Sequence, residues 1–183
     1  MTARYLIFGV PITPQTASAL MQQILRCYAE PQVTEIIVGL ASIGGGVPEA
    51  VMLHTLLAGS PKPVTMHAIG NIESAAVTVY LGGSRRLASP GCLFMLHPMV
   101  STFANGVTLT LPLLRQIQQK LEEDEARLQR IWVDRTGMPP DQVAELFAAD
   151  SMRDAEWGRH NGFVHATAEF TVPAGADLVW FTA

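Results

Sequence analysis

Short apolar runs alternate with stretches of helical period through the first half of the chain. "RYLIFGV", "TEIIVGLAS", "KPVTMHAIG" and "GCLFMLHP" read as buried strands, being short, apolar and bounded by glycine or proline. Between the first three, "TPQTASALMQQILRCYA" and "VPEAVMLHTLLAG" repeat apolar residues at helical spacing. Thr13 is placed to cap the first of these helices, with Pro14 in its first turn. Ser74 opens a third helix, and "GGSRR" after it reads as a turn. The order βαβαβα followed by β predicts an α/β fold of parallel strands with right-handed crossovers.

Beyond Pro98 the pattern changes. "STFANGVTLT" is polar, β-prone and turn-rich. "LPLLRQIQQKLEEDEARLQRIWVDRTG" is a long amphipathic helix with Leu114, Ile117, Leu121, Leu128 and Ile131 on or near one stripe, and such a helix can project from the body. "MPPDQVAELFAAD" and "RDAEWGRHNG" read as two short helices, and "ADLVWFT" as a final strand.

Composition sharpens this picture. The 183 residues suffice for one domain spanning residues 1–183 with its own core. Only 15% are charged and 49% hydrophobic, against about 25% charged in ordinary soluble domains, so self-association is expected. No apolar run approaches the roughly 20 residues that span a membrane, and the apolar stretch of "MTARYLIFGVPITP" is short for a signal peptide. The sequence therefore predicts a cytoplasmic protein with no membrane partner. A net charge of −4, with Arg85-Arg86 the one adjacent basic pair, argues against nucleic acid. Cys27 and Cys92 have no partner spacing and read as reduced, buried thiols. No metal motif occurs, and the glycines of "SIGGG" lack the spacing of a nucleotide cradle, so neither a metal nor a cofactor is predicted.

Functional groups in an open parallel sheet gather where strands end and helices begin. Three such junctions stand out: "SIGGG", "GNIES" and "LHP". Glycines let backbone N–H groups approach an anion closely, as an oxyanion hole requires, although an ordinary tight turn uses them equally well. A lone serine at a helix start is ordinarily an N-cap. His97, at the end of the following apolar strand, changes that reading, because neighbouring strand ends can hold its imidazole against Ser74 as a general base. His54, His67, His160 and His165 read as structural. A third group should orient the imidazole; Asp154 has an evident use as a helix cap, and Asp150 has none. Glu73 lies beside Ser74. A carboxylate about 6 Å from a developing oxyanion would cost about 2.8 kcal/mol at an effective dielectric near 20, so an active site should turn it away.

The runs "SIGGGV", "GNIESAA", "FMLHP" and "AADSMRDAEWGRHNGFVH", in this order, resemble the proteolytic subunit of the Clp protease (ClpP) over about residues 4–168. The resemblance implies a ClpP/crotonase-like superhelix of ββα units. It implies Ser74 as nucleophile, His97 as base, Asp150 as orienting acid, and the N–H groups of Gly45 and Ala75 as oxyanion donors with Gly44 beside them. It implies that the region about 99–136 is a protruding handle through which rings of six or seven subunits meet, and that peptides or unfolded proteins are the substrates. Family members carry an N-terminal segment that gates the pore and docks a Clp ATPase. This chain starts almost at its first strand, so an open pore and peptide cleavage without ATP are expected, with the ATPase partner left open. Two alternatives stand beside the peptidase: a catalytically degenerate ring subunit acting as scaffold or regulator, and a crotonase-like acyl-CoA enzyme.

Overall fold

The computed structural model describes residues 2–103 and 106–182. Its elements follow as β1 (Thr2–Phe8), α1 (Pro14–Ala29), β2 (Val33–Ser42), α2 (Val47–Ala58), β3 (Val64–Glu73), α3 (Ala75–Tyr80), β4 (Arg85–Ala88) and β5 (Leu93–Leu96). The second half supplies α4 (Leu111–Thr136), α5 (Pro140–Ala148), β6 (Ser151–Asp154), α6 (Ala155–His160), β7 (Ala166–Thr167) and β8 (Asp177–Phe181). The main path of the sheet runs β6-β5-β3-β2-β1-β8.

The expected parallel core is present, because each crossover helix buries an apolar face on it. β1, β2 and β3 pair in parallel, and Leu6, Phe8, Ile36, Val38 and Leu40 are fully buried. α1 starts at a capping box: Thr13 accepts from the Thr16 N–H, and the Thr16 hydroxyl accepts from the Thr13 N–H. β3 then changes neighbour along its length. Thr65–Ala68 pair with β4, whereas Ile72 and Glu73 pair with β5. This change winds the chain into ββα turns and leaves the β3 end beside the β5 end.

Three local expectations need correction. The "GGSRR" turn is shorter than read, since Arg85 and Arg86 already belong to β4, which pairs with β3 and β7. "SMRD" is a strand, β6, antiparallel to β5, and the helix begins only at Ala155. Four residues carry no periodicity of their own, so strand pairing decides both. The polar stretch 101–110 forms no strand among its described residues, and Ala104 and Asn105 lie outside them.

α4 is 26 residues long, about 39 Å at 1.5 Å per residue. Thr110 caps its start and Gly137, at φ 75°, ends it. Its first turns stand clear of the body, with Leu111 and Leu114 exposed, while Leu128 and Trp132 are buried in the core. Arg86 fixes the buried end. Its guanidinium donates to the carbonyls of Gly83, Arg135, Gly162 and Phe163, tying β4 to the ends of α4 and α6. Among the described residues no carboxylate bonds it, and burial pushes the Arg86 pKa down to about 10, leaving it charged at neutral pH. Across the sheet β8 closes the far edge. Its Asp177 and the Glu30 carboxylate both pair with Arg4.

Candidate active site

β3 ends at Glu73 and the chain reverses at once into α3, all of whose residues are buried. Ser74 makes this turn with φ 56° and ψ −131°, the one positive φ outside glycine among the described residues. Its N–H donates to the Met95 carbonyl on β5 and its carbonyl accepts from the Val77 N–H, so the backbone is held from both sides. The side chain makes no capping bond. The ordinary N-cap explanation therefore fails. A β-carbon in this region costs on the order of 1–3 kcal/mol, a strain that persists where the surroundings enforce it.

The glycine turn packs against the same elbow. Gly44 has φ 85°, and a β-carbon there would lie 2.6 Å from the Glu73 carbonyl and 2.8 Å from the Ser74 Cβ. Gly45 has φ 145°, and its β-carbon would lie 2.1 Å from the Ile12 carbonyl. The two differ in their hydrogen bonding. The Gly44 N–H donates to the Ser42 hydroxyl at 3.2 Å, while among the described residues neither the Gly45 nor the Ala75 N–H has an acceptor. Gly45, Ser74, Ala75 and His97 line one cavity.

His97 is half-buried. Its Nδ1 lies 2.6 Å from the Pro98 carbonyl, which can only accept, so in the neutral ring Nδ1 carries the proton and Nε2 keeps the lone pair. That is the tautomer a general base needs. Among the described residues the imidazole bonds neither Ser74 nor Asp150. Asp150 is exposed and sits one residue before β6. The β5–β6 ladder ends where Leu96 pairs with Ser151, one residue short of His97 on the first strand and of Asp150 on the second. The neighbouring Ser151 hydroxyl is buried without a hydrogen-bond partner among the described residues.

Other sequence readings find their places. Asp154 caps α6 by accepting from the Trp157 N–H. Glu73 accepts from the Asn71 side chain and opens on a separate groove lined by Gly9, Ile43 and Asn71, away from the Ser74 cavity. His54 and His67 contact the carbonyls of Thr78 and Ala168. His165 accepts from the Arg86 N–H. Burial holds all three below the usual histidine pKa. Cys27 and Cys92 are buried free thiols, their pKa values raised by burial. Among the described residues no cluster of three potential metal ligands forms, and no helix is long and apolar enough to cross a membrane.

The sequence did not single out the apolar wall of the cavity, made by Leu96, Leu128, Trp132 and Phe147. Its signal lay in the spacing of Leu128 and Trp132, i and i+4 on α4. Nor did it single out the Pro98 carbonyl, because a backbone acceptor leaves no trace in side-chain identity.

A strained serine elbow, an imidazole and two N–H groups without acceptors among the described residues thus meet at one cavity. The sequence profile of the Clp protease family matches residues 1–169, and the chain belongs to that family. It is 25% identical over 167 residues to the ATP-dependent Clp protease proteolytic subunit of Ranunculus macranthus, covering 90% of this chain and 82% of that one. Against the ATP-dependent Clp protease proteolytic subunit 1 of Bacillus cereus it is 25% identical over 169 residues, covering 91% and 85%. The fold matches a solved ClpP1 mutant from Listeria monocytogenes with a TM-score of 0.80 at 18% identity, covering 91% of this chain and 92% of the other. The ββα superhelix is thus the ClpP fold, and a protease is the reading these matches favour over the scaffold and acyl-CoA alternatives.

Proposed function

We propose that the chain is a serine endopeptidase that cleaves peptides or unfolded polypeptides through an acyl-enzyme on Ser74. The observation that carries this reading is the Ser74 elbow, a strained turn with no structural use for its hydroxyl, opening into the cavity that His97 lines. The Ser74 Oγ attacks the substrate carbonyl while His97 Nε2 takes its proton. The Gly45 and Ala75 N–H groups receive the oxyanion; Gly44, its own N–H engaged, gives the close approach its neighbours need. His97 then passes the proton to the leaving amine, and water repeats the cycle against the ester.

Asp150 is the acid we assign to His97. A carboxylate replacing the Pro98 carbonyl at Nδ1 keeps the same tautomer and adds stabilisation of the imidazolium. The exposed apolar residues at the start of α4 support assembly through this handle into a homo-oligomeric ring of six or seven subunits, with a Clp ATPase as the candidate partner.

A fluorophosphonate probe and a fluorogenic peptide test the site together. Wild-type protein should label and cleave, Ser74→Ala should do neither, and Asp150→Asn should lose orders of magnitude in turnover while keeping its fold. Undiminished cleavage by Ser74→Ala would sink the mechanism, and wild-type turnover in Asp150→Asn would leave the orienting role with the Pro98 carbonyl. Light scattering tests the ring, and a monomer at micromolar concentration contradicts it.

A further inference from the structure

The cavity beside Ser74 is small, and Trp132 is the largest side chain that lines it. Its volume is about 70 Å³, and among the described residues no carboxylate, lysine or arginine lines it. Trp132 lines it and is only 3% exposed. The indole is fixed on several sides. Its Nε1–H donates to the Thr78 hydroxyl at 2.9 Å, Phe147 packs on it with ring centroids 4.5 Å apart, and Phe163 meets it edge-on at 5.6 Å. Thr78 is itself fully buried, and its carbonyl contacts His54. A wall anchored by a buried hydrogen bond and two aromatic contacts does not swing aside without leaving the Thr78 hydroxyl and the indole N–H unpaired.

A substrate carbonyl held between Ser74 and the Gly45 and Ala75 N–H groups would bring the side chain of its own α-carbon to this cavity, which the same three residues line. A cavity of about 150 Å³ is known to accept a benzene ring, and this one has less than half that volume.

We infer that Trp132 is a specificity-determining residue that limits the acyl side of the scissile bond to short aliphatic side chains, alanine to valine in size, and rejects leucine, phenylalanine and charged residues. The inference rests on the serine peptidase reading of the same site. The Trp132 indole N–H bonds Thr78 and neither Ser74 nor His97, so Trp132 sets which substrate is cut and not how.

The test is a series of fluorogenic peptides identical except for Ala, Val, Leu, Phe or Lys before the scissile bond, run on wild type and on Trp132→Leu. Ser74 labelling by a small fluorophosphonate is measured in parallel. Hydrophobic pockets discriminate by about 10–200-fold per methylene, so wild-type kcat/KM for Ala or Val should exceed that for Phe by at least about tenfold. Trp132→Leu should level or invert the Ala-to-Phe ratio while labelling persists. The wild-type series alone decides the matter even if the variant fails to fold. A labelled wild type that cuts after Leu or Phe fastest overturns the inference and leaves the Ser74 reading standing. So does an unchanged ratio in a folded, labelled Trp132→Leu. A folded wild type that neither labels nor cleaves any peptide overturns the site reading, and the inference falls with it.

Discussion

Replacing Ser74 by glycine should give a more stable protein than replacing it by alanine, although both remove the same hydroxyl. The turn holds φ 56° and ψ −131°, a region that a β-carbon enters at a cost of about 1–3 kcal/mol and glycine enters freely. Alanine keeps the β-carbon and hence the strain. It loses no capping bond either, because the Ser74 side chain makes none, so Ser74→Ala should sit close to wild type in stability. Glycine releases the strain but gives back about 0.5–1 kcal/mol in unfolded-chain entropy. The net gain over alanine is about 0.5–2 kcal/mol. Unfolding entropy of about 2.1 cal/mol/K per residue makes that about 1–5 °C in Tm for a chain of 183 residues. Differential scanning calorimetry of both variants at equal protomer concentration measures it, since association raises apparent stability. A Ser74→Gly protein that melts at or below Ser74→Ala refutes the claim that the elbow is strained.

Two further outcomes follow from the same packing and from the buried histidines. Gly45→Ala should cost about 2–4 kcal/mol and abolish peptidase activity, because its β-carbon meets the Ile12 carbonyl at 2.1 Å and must displace the bonds joining Ile12 to Gly44 and Gly46. Gly91→Ala, with open space around it, should stay within about 0.5 kcal/mol, and equal denaturation midpoints for the two would contradict this. His54, His67 and His165 are all held below the usual histidine pKa by burial, so between the folded and unfolded values the unfolded chain binds more protons. Stability should therefore be full above about pH 6.5 and fall as the pH drops below it, towards the depressed folded values. A Tm that is flat between pH 7.5 and 5.5 would rule that out.

Much of the fold was legible because burial and local geometry leave marks on adjacent residues. Apolar runs marked β1, β2 and β3, helical spacing marked α1, α2 and α4, and Thr13 and Asp154 announced helix starts through hydroxyl and carboxylate groups that cap free N–H groups. The order of "SIGGG", Ser74 and His97 at successive strand ends also sufficed to bring them to one cavity, because parallel strands in sequence deliver their C-terminal ends to the same edge.

The tertiary structure decided what depends on residues far apart in the chain. β4 and β6 are four residues each and exist through pairing with β3, β5 and β7, so no local period could reveal them. Leu114 and Leu128 share one apolar stripe, yet the first is 45% exposed and the second 3%, since periodicity says which face is apolar and not where the body ends. The strain at Ser74, the bond from His97 to the Pro98 carbonyl and the cavity that Trp132 lines are properties of backbone angles, of a backbone acceptor and of volume left between packed side chains. None of these is carried by the identity of any one residue, and all arise only when distant segments are pressed together.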